Sequence, residues 1–129
     1  AVREGWILTT RSGTLGDTIF VMPVIDNYAV SEDGIRIVVD ENSEISNRYL
    51  FAFLKSNIGK NSLLAGSYGS VILHLNEDYV GDIKVPVFEE KFEEIERNVS
   101  KYIECFNQAI INENQAIDLI EKEIDQWQQ

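Results

Sequence analysis

The last third of this chain constrains its fold more than any other feature. No Gly or Pro interrupts residues 89–129, and apolar side chains recur there at alternating spacings of four and three. The stripe begins Phe88, Phe92, Ile95, Val99, Tyr102, Phe106. After one extra step of four it continues Ile110, Ile117, Ile120, Ile124, Trp127, with Glu113 as the polar break. This is a heptad-like seam with one stutter, the pattern of a helix that pairs with another helix. About 40 residues at a 1.5 Å rise give roughly 60 Å, longer than a body of about 85 residues can cover. A two-helix hairpin broken near Asn112-Glu113-Asn114 is the alternative. In the continuous case Phe92, Ile95, Val99, Phe106, Ile110, Ile117, Ile120 and Ile124 form a coiled-coil interface, intra- or intermolecular, and the chain is expected to be a homodimer.

Residues 1–87 read differently, as a separate α/β body joined to the 88–129 helix. Trp6 to Arg11 is a β-rich run stopped by Ser12-Gly13, and Thr18 to Met22 is another ended by Pro23. Asn27 to Val30 and Ile35 to Val39 flank Asp33-Gly34, a hairpin signal. Ser46 offers an N-cap for a helix to about Asn57, with Tyr49-Leu50 and Phe53-Leu54 at buried-face spacing and Gly59 placed to stop it. Gly66-Ser67-Tyr68-Gly69-Ser70 is loop chemistry, and Val71 to Leu73 and Ile83 to Val85 look like short strands. The expected class is α+β: a small mixed sheet with one short helix, then a long C-terminal helix.

The 129 residues suit one modest core, and no apolar run approaches the roughly 20 residues that cross a bilayer. The opening Ala1-Val2-Arg3-Glu4-Gly5-Trp6 lacks the apolar stretch of a signal peptide. It also lacks an initiator Met, which leaves both a complete chain and a fragment of a longer one open. Single Cys105 excludes an internal disulfide and fits a reducing compartment, so a cytoplasmic location is expected. The net charge of −11 argues against a nucleic-acid surface. That acidity is uneven. Residues 1–88 hold 7 basic and 11 acidic side chains, a net of −4, and residues 89–129 hold 4 and 11, a net of −7.

Enzymatic readings fail on spacing. Ala65-Gly66-Ser67-Tyr68-Gly69 imitates a nucleophile elbow, but no carboxylate stands between Tyr68 and Leu73 to precede His74. Gly13-Thr14-Leu15-Gly16 has neither a P-loop Lys nor a third Gly, and Gly59-Lys60-Asn61-Ser62 misses the Gly-Lys-Ser/Thr order. One His and one Cys do not make a zinc site, and Asp40, Asn42 and Glu44 lack the turn Gly and distal Glu of a calcium loop. Glu89, Glu90, Glu93, Glu94 and Glu96 suit the start of a helix, where acids favour the macrodipole. No enzymatic activity, cofactor or metal is expected of this chain.

Four segments in series resemble the specificity subunits of type I restriction–modification systems. Gly5 to Gly16 (GWILTTRSGTLG) resembles that family's Gly-Asp-Ile-Leu…Arg-x-Gly-x-x-Gly strand and turn, and Tyr49 to Ser56 (YLFAFLKS) its Tyr-Leu-x-x-x-Leu-x-Ser helix. Gly66 to Ser70, followed by His74-Leu75, is similar to its glycine turn, and Ile83-Lys84-Val85-Pro86 to the closing strand that opens onto a long helix. Val87-Phe88-Glu89-Glu90 stands where the family carries Pro-Pro-Leu and Glu-Gln. The match covers nearly the whole chain and corresponds to the C-terminal part of a target-recognition domain plus its helix. The resemblance implies a non-catalytic reader of double-stranded DNA. Adenine methyltransferase subunits, which use S-adenosylmethionine, and a restriction subunit would dock on it.

Candidate DNA contacts are Arg11, Ser12 and Thr14 at the first turn, Lys55, Lys60 and Asn61 at the helix end, and Ser67, Tyr68 and Ser70 in the glycine loop. Arg11 could reach a phosphate or a guanine edge, or hold the turn through an ion pair. Two other origins stay open: the C-terminal recognition domain of a single-chain type II methyltransferase or restriction enzyme, and a coiled-coil interaction module with no DNA role.

Overall fold

A computed structural model describes residues 1–10, 17–27, 34–66 and 76–128. The chain is an α+β fold in which a small sheet and three short helices precede one long helix. The central strand β1 (Ile7–Thr10) pairs antiparallel with β2 (Thr18–Phe20) on one side and β3 (Gly34–Ile37) on the other. Ile7 lies opposite both Phe20 and Ile37, and Thr9 opposite Thr18 and Ile35. Alternation sends Ile7, Phe20 and Ile35 into the main core. Leu8 instead points to a second cluster with Val2 and Val21. Among the described residues the sheet is wholly antiparallel rather than mixed.

Helix α1 (Asn47–Lys55) begins where expected: the Ser46 hydroxyl accepts a hydrogen bond from the Tyr49 amide at 3.1 Å. It buries Phe51 and Leu54 in the main core, with Phe51 edge-on to Phe20 at 5.8 Å, and turns Tyr49 to Phe92. The body has more than the one short helix expected, because Gly59 does not stop anything. Ser56 ends α1 by donating its amide to Ala52 and Phe53. Its hydroxyl then caps α2 (Asn57–Ala65) by accepting from the Gly59 amide at 3.1 Å. Gly59 lies inside α2 and is buried. A Cβ there would sit 1.9 Å from the Phe53 carbonyl oxygen, so only glycine lets the two helices approach this closely.

A third short helix, α3 (Glu77–Gly81), has no counterpart among the sequence expectations; Asn76 caps it through Tyr79 at 2.7 Å. Ile83-Lys84-Val85, expected as a strand, belongs to no ladder among the described residues. Ile83 and Val85 are half-buried with Lys84 exposed, so the alternation records packing on the core, and Pro86 ends the run without an amide to donate. Asn27, expected to open a strand, has φ 71° and closes a 3-10 turn (Pro23–Ile25) with its amide on Val2. The turn residues Glu32-Asp33, the glycine loop after Gly66, the expected strand at Val71 to Leu73, and His74 lie outside the described residues.

After a 3-10 turn (Glu89–Lys91), α4 runs unbroken from Phe92 to Trp127, through Asn112-Glu113-Asn114 without a hairpin. Its 36 residues span about 54 Å. The first half is built into the core. Ile103 is buried, Val99 and Ile110 pack beside it, Phe92 meets the Tyr49 ring at 4.8 Å, and Tyr102 stacks on Phe51 at 5.8 Å. Polar contacts hold the same stretch: Asn107 accepts from the Val24 amide at 2.9 Å and Ser100 from the Arg48 Nε at 2.8 Å. From Asn112 onward every described residue is exposed. This half projects about 25 Å beyond the body.

Candidate functional site

The sequence places its candidate contacts at three spots, and the described structure holds one of them. Arg11, Ser12, Thr14, Ser67, Tyr68 and Ser70 lie outside the described residues. Lys55, Lys60 and Asn61 gather at the corner where Ser56 joins α1 to α2, and all three are exposed. Neither lysine forms an ion pair among the described residues, so both ammonium groups face solvent. Two arginines of the body are engaged. Arg3 bonds Asn27 and lies 3.9 Å from Asp26, while Arg48 bonds Ser100 and Asn47 and lies over the Phe20 ring. The corner carries two exposed lysines on an acidic chain.

Beside it runs an apolar groove of about 290 Å³, lined by Tyr49, Ala52, Phe53, Ile58, Phe88 and Ile95. The Tyr49 hydroxyl builds its floor: it donates to the Pro86 carbonyl at 2.6 Å and accepts from the Phe88 amide at 3.2 Å. One side chain thereby ties the closing segment to α1 and satisfies two backbone groups that no strand pairs. Sequence reasoning included Phe88 in the seam but missed the groove and Ile58. The available signal was Ile58 itself, an isoleucine that stays largely exposed in a helix of low amphipathicity.

The seam residues divide between two environments. Phe92, Val99 and Ile110 turn to the body, whereas Phe106, Ile117, Ile120 and Ile124 remain exposed. Ile95 is half-buried at the groove wall. Tyr102, Leu119 and Trp127 add further exposed apolar surface to α4.

Among the described residues, no group of three His, Cys, Asp or Glu side chains is arranged to hold a metal, and no helix is long and apolar enough to cross a membrane. Comparison with protein-family models, curated proteins and solved structures finds no match for this chain.

Proposed function

We propose that this chain is a non-catalytic DNA-reading part of a type I restriction–modification specificity subunit, working in the cytoplasm. It directs an adenine methyltransferase and a restriction subunit to a target site. The observation that carries the reading is the join between two of the family-like segments. Tyr49 opens the Tyr-Leu helix motif, and its hydroxyl holds Pro86, which ends the Ile-Lys-Val-Pro motif. The long helix then leaves from that same point. Charge agrees with a division of labour: the solvent-facing Lys55 and Lys60 mark the face for phosphates, and the acidic α4 suits protein partners. The exposed stripe of α4 pairs with a second copy of the chain.

A second reading, an interaction module with no DNA role, is favoured by the net charge of −11 and by the uncovered distal half of α4. A recognition domain of a single-chain type II enzyme shares every feature of the first. Fluorescence anisotropy with duplex DNA across a salt series separates DNA readers from the interaction module. The isolated chain should bind weakly, and its complex with a methyltransferase tightly. Lys55→Ala and Lys60→Ala should each lower the slope of log affinity against log salt in that complex, by about 0.9 for every phosphate that is no longer neutralised. A complex whose affinity and salt slope ignore both substitutions refutes the DNA reading.

A further inference from the structure

A cavity of about 430 Å³ opens on the other side of α1 from the Tyr49 groove, where α1 lines it with Leu50 and Leu54. Two strand-like segments form its walls. One is β3 with its continuation at Val38, and the other is Ile83 to Val85, with Val80 of α3 completing the lining. Both walls carry backbone groups that nothing satisfies. β3 pairs with β1 on one side only, and among the described residues no bond reaches its other edge or the amides of Val38 and Val39. On the facing wall the amides of Lys84, Val85 and Val87 and the carbonyls of Ile83, Lys84 and Val85 have no partner among those residues either. The Tyr49 hydroxyl serves only Pro86 and Phe88. Backbone donors and acceptors on a half-buried surface call for partners, and an open strand edge is a template for another strand.

The walls also state the side chains such a strand must carry. Ile35 and Ile37 turn to the core from β3, and Ile83 turns to it from the facing wall, with Val85 half-buried behind it. The strand period of two leaves Arg36 and Lys84 pointing outward, one on each wall. Both are exposed, and neither forms an ion pair among the described residues. We infer that this cleft receives an extended segment of a partner protein, which adds a strand to β3 and carries apolar residues inward and acidic residues outward. Its acids then lie between Arg36 and Lys84, as opposite-charge pairs across neighbouring strands. Glu77, the one acid on the wall among the described residues, has a partner of its own. A second copy of this chain suits the edge poorly, because its β3 would bring another Arg36 to a cationic rim. The acidity of the whole chain is screened beyond about 8 Å at physiological salt, so the local pair sets the sign.

The inference is independent of DNA reading, since none of its observations involves the Lys55 and Lys60 corner. The probe is a fluorescent, end-capped peptide of about seven residues that alternates valine and glutamate, titrated into the full chain by anisotropy. The expected result is saturable binding, with hydrogen exchange in the 83–87 segment slowed at least tenfold at saturation. Methylating the peptide's backbone amides should weaken binding at least tenfold, because the side chains remain and the ladder donors go. The double substitution Arg36→Glu and Lys84→Glu should weaken it as much and transfer the preference to a peptide alternating valine and lysine. A gain for the lysine peptide cannot come from misfolding, and circular dichroism should be unchanged, since both side chains are exposed.

No saturable binding, equal binding of the methylated peptide, or a double variant that still prefers glutamate overturns the inference. So does protection confined to the Tyr49 groove. Protection of the 83–87 segment that rises with protein concentration alone identifies a second copy as the occupant and overturns it as well.

Discussion

Replacing Gly59 with alanine adds one methyl group at the tightest approach in the body. The new Cβ would lie 1.9 Å from the Phe53 carbonyl oxygen and 2.7 Å from its carbon. Both are backbone atoms of α1, with no rotamer to yield. Relief requires α2 to lift by more than an ångström, which opens the site of the fully buried Leu63. Overpacking of this kind costs about 1–3 kcal/mol, and partial exposure of a leucine adds to it on a scale of about 1.5–3 kcal/mol for the whole side chain. Alanine's better helix propensity returns about 1 kcal/mol. The net expectation is a loss of about 2–3 kcal/mol. With an m-value of about 1–3 kcal/mol per molar urea, the unfolding midpoint should fall by about 1–2 M with m unchanged. Gly81→Ala is the control. No atom lies within 4 Å of a Cβ built there, so the change should stay below about 1 kcal/mol. A Gly59→Ala midpoint equal to or above that of the parent protein refutes the close-approach argument.

Tyr49→Phe removes the hydroxyl between the Pro86 carbonyl and the Phe88 amide, leaving both without that partner. Because Pro86 and Phe88 are exposed and water can take the hydroxyl's place, it should cost about 0.5–1.5 kcal/mol in urea unfolding and speed hydrogen exchange at Phe88 relative to the α1 amides. The double substitution Ile117→Asp and Ile124→Asp puts two charges on the exposed seam and should abolish the self-pairing proposed above. Gel filtration should then report a monomer, and the thermal unfolding of the body should shift by no more than a degree or two.

The elements most legible in the sequence are those whose signal is local and repeated. The α4 seam offers eleven apolar positions at heptad spacing, and the helix runs where that periodicity puts it. Ser46 and the apolar positions three to eight residues after it identify α1 for the same reason, since a cap and a face are both properties of neighbouring residues. What escapes the sequence depends on atoms distant along the chain. Gly59 reads as a helix stop until α1 is present beside it, and its role is set by the Phe53 carbonyl. Ile83 to Val85 alternates like a strand because it lies on a core, and nothing local reveals the missing ladder partner. Lys55, Lys60 and Asn61 form a group through a family likeness; the corner they share is made by Ser56 capping two helices at once. The groove is illegible because Tyr49, Ile58 and Phe88 come from three separate segments.

Half of α4 is embedded and half is free, which makes the helix a lever with its fulcrum inside the core. Ile103, Asn107 and Ile110 grip one end through packing and a hydrogen bond, and the other end has no support from its own body. A tilt of about 10° at the gripped end sweeps the tip through about 4 Å, given a free arm of about 25 Å. Small repacking beneath Phe20 and Phe51 is thereby converted into a displacement of several ångströms at the free tip. The same leverage works in reverse. A load applied at Trp127 is felt at the sheet, so the position of the far end of the helix and the geometry of the body are mechanically one variable.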